Sequence, residues 1–165
     1  MDVLKAIRTK RAVRQFTDDP IPQEVLEKIL NAALKAQSSK NTQPWHLVVI
    51  QDRDTLQRLS TLGDYLGHVA GAAACVAFAA PNDNAWTYFD LGQCAAYLQL
   101  AAHELGVGSC LGAVYHPAEA KKLLGIPADL SFNAVVSLGY PQPTFKPAQM
   151  GGRKPLGEAV HWERW

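Results

Sequence analysis

Long hydrophobic runs are missing from this sequence: the longest, Val69 to Ala80, falls well short of the roughly 20 residues that a spanning helix needs. The opening stretch "MDVLKAIRTK" lacks the apolar core of a secretory signal, so an unexported, cytoplasmic protein is expected, with no membrane partner. Cysteine is scarce. Cys75, Cys94 and Cys110 are odd in number, show no CxxC spacing and sit among apolar neighbours, which favours reduced core thiols over disulfides or metal ligands. An excess of one charge is also absent: 16 Lys and Arg against 15 Asp and Glu give a net +1, so no overall field draws nucleic acid or an anionic membrane. Any anion site must be local.

Chemical signatures are lacking too. No GxGxxG follows the first strand, no GxxxxGK[ST] occurs, and "GVGSCLG" ends a helix without a phosphate-loop lysine. The five histidines, His46, His68, His103, His116 and His161, form neither HExxH nor a tight cluster with carboxylates, so no metal is expected. Ser38 and Ser39 stand outside any GxSxG elbow. Binding groups without an evident acid, base or nucleophile suit a protein whose reactive atoms belong to a cofactor.

What is present reads as one domain over residues 1–165, without repeat, linker or low-complexity segment, large enough to bury roughly 70% of its unfolded surface. Val3 to Lys10 is expected as a short helix and 22–36 as a strong one, with Val25, Ile29, Ala32, Ala33 and Ala36 on one face and Leu26, Leu30 and Leu34 widening the stripe. Residues 46–51 and 73–80 read as strands, 53–62 as a helix, and 86–105 as a long, nearly all-round apolar helix that must be heavily buried. A Gly-rich turn, "GVGSCLGAVY", a helix from Pro117 to Leu124 and a strand from Phe132 to Leu138 follow. Pro141, Pro143, Pro147 and Pro155 make the rest an extended surface segment, and its "VHWERW" ending carries too much aromatic surface to remain in water unpartnered.

Three places concentrate polar chemistry. In "KRAVRQF", Lys10, Arg11 and Arg14 are either a solvated helix end or a phosphate grip. In "SSKNTQPW", Ser38, Ser39, Asn41 and Gln43 either hold their own turn or face a ligand. In "GGRKP", Arg153 and Lys154 are either an exposed loop or a second cationic contact. Trp86 is either a core aromatic or a stacking surface for a ring. The residues alone support a compact α/β domain with a local anion site.

Read in order, "KRAVRQF", "PIPQEVLEKILNAALKAQSSKNTQPWHLVVI", "DLGQCAAYLQLAAHELGVGSC", "VVSLGYPQP" and "GGRKPLGEAVHWERW" resemble the nitroreductase family of FMN-dependent oxidoreductases over nearly the whole chain. The resemblance implies an α+β fold, a three-layer α/β/α sandwich with a mixed, largely antiparallel sheet, and an intertwined homodimer in which residues 141–165 extend onto the partner subunit. It implies FMN held by Lys10, Arg11 and Arg14, by Ser38, Ser39, Asn41 and Gln43 reaching across the dimer, by Leu111 and Gly112 near the ring, and by Arg153 and Lys154 at the phosphate. Ala12 replaces a serine common among relatives, and the segment after the long helix lacks their tryptophan. The activity implied is hydride transfer from NADH or NADPH to flavin N5, then two electrons to a nitroaromatic, quinone or similar acceptor, with ping-pong kinetics. The short "PNDNA" connection leaves no room for a substrate-covering insertion, so an open site is expected. A non-catalytic flavin carrier or sensor on the same scaffold is the alternative.

Overall fold

The computed structural model describes residues 2–81, 85–148 and 152–165. Most of the "PNDNA" connection and Gly151 of "GGRKP" lie outside them. The elements run α1 (Val3–Thr9), α2 (Gln23–Ala33), β1 (His46–Ile50), α3 (Arg53–Leu59), β2 (Ala74–Pro81), α4 (Ala85–Glu104), β3 (Gly108–Ala113), α5 (Pro117–Leu124), β4 (Leu130–Gly139) and α6 (Leu156–Ala159). Local chemistry sets several ends. The Asp2 carboxylate accepts from the Lys5 N–H at the start of α1, Asp52 does the same for Thr55 in α3, and α5 begins on Pro117 and closes on Gly125 at φ 67°.

The four strands form one sheet in the order β1-β2-β4-β3, each neighbouring pair antiparallel. Parallel pairing among the described residues is confined to an isolated bridge from Ala12, outside the four strands, to Ser109. Alternation along β2 builds both cores. Ala74, Val76 and Phe78 pack with Leu26 and Ile29 of α2 and Cys94 and Leu98 of α4, whereas Cys75, Ala77 and Ala79 pack with Leu56 and Leu59 of α3 and Ala120 of α5. The result is helices on both faces of a central sheet, the expected α+β sandwich.

Three expectations need correction. The segment 108–113 is a strand, not a turn, because its glycines serve close packing: a Cβ on Gly108 would lie 2.8 Å from the Val13 Cβ, and one on Gly112 would run into Leu66. The buried stripe of α2 is Leu26, Ile29 and Ala33, so Leu26 rather than Val25 sits at its centre. The long helix α4 is covered along one side only, through Thr87, Asp90, Cys94, Leu98 and Ala102. Trp86 is 63% exposed and Phe89 61%, so Trp86 is no core residue of the single chain.

Candidate functional site

The basic segment is laid along the outer edge of β3. The Val13 N–H donates to the Ser109 carbonyl at 3.0 Å, and Phe16 pairs with Pro141. Glycines permit this approach, since a Cβ on Gly139 would meet the Phe16 ring at 2.8 Å. The first residues after β4 close over the segment: Gln142 donates its backbone N–H to the Gln15 carbonyl and its side-chain amide to the Phe16 carbonyl, and Phe145 packs beside Val13, Phe16 and Ala72.

This backbone arrangement brings Lys10 and Arg14 to Cys110 at the middle of β3. Burial pushes the Cys110 thiol up, opposed by the Arg14 and Lys10 charges and by a hydrogen bond from Arg14. Burial lowers the half-buried Lys10 ammonium, against the opposing influence of Cys110. Arg11 turns away: its Nη1 donates to the carbonyls of Arg8 and Lys10 at 2.7 and 2.8 Å, capping α1. A cavity of about 290 Å³ lies beside this segment, lined by Lys10, Arg11, His103, Ser109, Pro141 and Phe145 among others.

Sequence reasoning missed the group beneath the cations. His68 is buried, its Nδ1 lies 2.8 Å from the Ser137 Oγ, and its Nε2 has no partner among the described residues. Its protonation is disfavoured first by burial and then by the Arg14 charge. Ser137 also donates to the Cys110 carbonyl at 3.4 Å. The available signal was Ser137 itself, a hydroxyl inside the apolar run "AVVSLG". Leu111 and Gly112 alternate across β3: Gly112 is buried against Leu66 and His68, while Leu111 is half-exposed and lines an apolar cavity of about 240 Å³ with Phe78, Tyr88, Leu91 and Ala134.

The polar turn lies elsewhere on the chain. It forms a single 3-10 turn, Ser39–Asn41, and carries three non-glycine residues in the left-handed region: Lys40 at φ 51°, Asn41 at φ 56° and Gln43 at φ 47°. Each such residue costs about 1–2 kcal/mol relative to ordinary backbone, so the turn must be held by its surroundings. Ser38 does part of this, its Oγ accepting from the Gln43 N–H at 2.9 Å. The rest comes from α4, where the Asp90 carboxylate accepts from the Ser39 N–H at 3.0 Å and Gln93 accepts from Gln37 at 3.1 Å. Both readings of the turn therefore have substance: Ser38 is engaged internally, while Ser39, Asn41 and Gln43 are exposed. A cavity of about 260 Å³ beside it is lined by Gln37, Ser38, Ser39, Trp86, Phe89, Asp90 and Gln93, with none of the cations. Arg153 and Lys154 are exposed in the tail. One chain thus joins Lys10, Arg14, Leu111 and Gly112 around β3 and leaves the turn and the tail cations as separate groups.

A model of the nitroreductase family matches residues 7–63 and 63–140. The chain belongs to the nitroreductase family. Its relatives include an Archaeoglobus fulgidus protein assigned as an NADH dehydrogenase/NAD(P)H nitroreductase, 37% identical over 99% of each chain. An NADH dehydrogenase of Thermus thermophilus is 28% identical over 98% of this chain and 96% of its own. Among solved structures, an FMN-dependent nitroreductase of Clostridium difficile superposes with a TM-score of 0.89 at 26% identity, covering 99% of this chain and 100% of that one. The NADPH:FMN oxidoreductase of Vibrio harveyi, complexed with NAD+, gives a TM-score of 0.87 at 24% identity over 98% of this chain and 77% of its own, a likeness of fold.

Proposed function

We propose that this nitroreductase-family protein is an FMN-dependent oxidoreductase that takes hydride from NADH or NADPH and passes two electrons to a nitroaromatic, quinone or similar small-molecule acceptor. The observation that carries the reading is the docking of the basic segment on the edge of β3 through the Val13–Ser109 hydrogen bond, which sets Lys10 and Arg14 at Cys110, one residue from the exposed, apolar Leu111. Two cations at a strand edge that also carries an exposed apolar side chain suit a ligand that combines an anionic group with a flat ring, so the residues present fit FMN. When bound, FMN supplies the hydride acceptor and donor at its N5.

The chain's own groups do the holding. Lys10 and Arg14 supply positive charge to the anionic and carbonyl groups of the ligand, with Arg153 and Lys154 of a tail closing on the phosphate. Arg11 serves the same site on release from its helix cap. Leu111 and Gly112 present β3 to the ring, and burial of His68 keeps a neutral imidazole under Arg14. Ser39, Asn41 and Gln43 act from the partner subunit of a homodimer, with Ser38 fixing their turn. Dimerisation accounts for the apolar surface left on one chain: Val3 and Leu4 of α1, Trp86 and Phe89 of α4, and Trp162 and Trp165 of the tail are all exposed. Light scattering of the full chain is expected to give twice 18.0 kDa, and an 18.0 kDa particle binding FMN contradicts the dimer. Three buried free thiols suit a reducing cytoplasm.

A shallow site that donor and acceptor visit in turn produces ping-pong kinetics. Steady-state rates with varied NADH or NADPH at several fixed quinone concentrations are expected to give parallel double-reciprocal lines. Failure to reduce any quinone or nitroaromatic with either donor contradicts the assignment.

A further inference from the structure

We propose that Asp90 is a positioning residue for the cofactor site, holding the 38–43 turn in the shape that presents its side chains to the flavin; this rests on the FMN reading above. Asp90 stands in the core-facing stripe of α4, between Thr87 and Cys94, and is only 3% exposed. Carboxylates are rarely tolerated at such depth without a partner that needs them. Its Oδ2 accepts the Ser39 N–H at 3.0 Å, a contact spanning 51 residues of sequence that ties the turn to the helical layer of α2 and α4. Ser39 opens the 3-10 turn whose next residues include the left-handed Lys40, Asn41 and Gln43.

These conformations are disfavoured for side-chain-bearing residues and persist only where the surroundings dictate them. Ser38 bonds the Gln43 N–H and so closes the turn on itself, but that bond does not fix the turn's place on the protein. The carboxylate does. A buried anionic acceptor gives a stronger, shorter-range anchor for an N–H than the neutral Gln37–Gln93 bond one helical turn further along α4. Asp90 touches neither donor nor acceptor substrate in this role. It acts through the Ser39 backbone, and its substitution changes where Ser39, Asn41 and Gln43 lie.

FMN dissociation constants, read by quenching of flavin fluorescence on titration into apoprotein, test the proposal without recourse to turnover. Asp90→Ala is expected to weaken FMN binding on the order of ten-fold or more, the scale of one charged hydrogen bond. Asp90→Asn, which retains an acceptor oxygen of the same reach, should recover most of that loss. The backbone donor is removed by Ser39→Pro, with Ser39→Ala as the reference that keeps it. Asp90→Ala should then cost affinity in the Ser39→Ala background and little more in the Ser39→Pro background. Faster amide hydrogen exchange at residues 38–43 in Asp90→Ala, at an unchanged rate in β2, is the accompanying signature. FMN affinity unchanged in Asp90→Ala, or equal and additive losses in both backgrounds, overturns the role. If Asp90→Ala fails to fold, the comparison of Ser39→Pro with Ser39→Ala decides: equal affinities overturn it. Wild-type protein that binds no FMN refutes the cofactor reading itself, a result distinguishable from these.

Discussion

At the level of single residues, the placement of charge on β3 is the informative feature. Arg14 is exposed, yet its charge opposes the effect of burial on the Cys110 thiol and disfavours protonation of His68, so its guanidinium faces β3. Replacing it with alanine removes a charged hydrogen bond to the ligand, worth about 1.5–3 kcal/mol. Arg14→Ala and Arg153→Ala should each weaken FMN binding by that amount in a fluorescence titration, and wild-type affinity in both variants removes the phosphate and ring contacts assigned to them. His68 makes a different prediction. Its folded-state pKa is below the ordinary 6.5, so the unfolded chain binds the extra proton first as pH falls. The neutral folded form carries no penalty above pH 6.5, and stability declines as pH drops from 6.5 toward the lower folded value. Urea midpoints measured from pH 7.5 down to 5, in roughly half-unit steps, should fall less steeply for His68→Gln than for wild type, because the variant lacks this linkage. Identical slopes would mean that His68 is not buried neutral.

Among the elements, β3 teaches most about what the sequence disclosed. Its "GVGSCLGA" looks like a turn because glycine punctuates turns far more often than strands. Here the glycines instead admit neighbours, Gly108 taking Val13 and Gly112 taking Leu66 and His68, and no local pattern announces a neighbour distant in the chain. Helix α4 was legible as a helix but not in its burial, since an apolar surface reads the same whether it faces its own core or another molecule. By contrast β2 and β4, apolar and bounded by turn residues, and the capped helices α3 and α5 declared themselves locally. Gly108→Ala tests the close-packing reading. The added Cβ would lie 2.8 Å from the Val13 Cβ and 2.9 Å from both its methyl groups, forcing the basic segment off the sheet edge. A loss of about 1–3 kcal/mol in unfolding free energy is expected from such overpacking, together with weaker FMN binding. An unaltered urea midpoint would show that Val13 yields without cost.

For the whole molecule, the chain order of binding groups proved legible while their meeting place did not. Lys10 and Arg14 are four positions apart and reach one strand, so their proximity follows from the local chain. The 38–43 turn and Arg153 stand apart from them in a single chain, and the assignment of all three to one site depends on a second copy. Hydrophobic surface gives the physical reason to expect it: Trp165 is 99% exposed and Trp162 79%, far beyond what a lone domain of this size leaves to water without a partner. His68 and Asp90 escaped notice because each is an ordinary residue type made unusual only by burial, which sequence does not display. The most direct measurement is the visible absorption spectrum of the purified protein with FMN added and the unbound flavin removed, followed by anaerobic NADH or NADPH. A retained flavin band that bleaches on addition of either donor is the expected result. Protein that remains colourless after incubation with excess FMN, or whose bound flavin neither donor reduces, would contradict the assignment of this chain as an FMN-dependent NAD(P)H oxidoreductase.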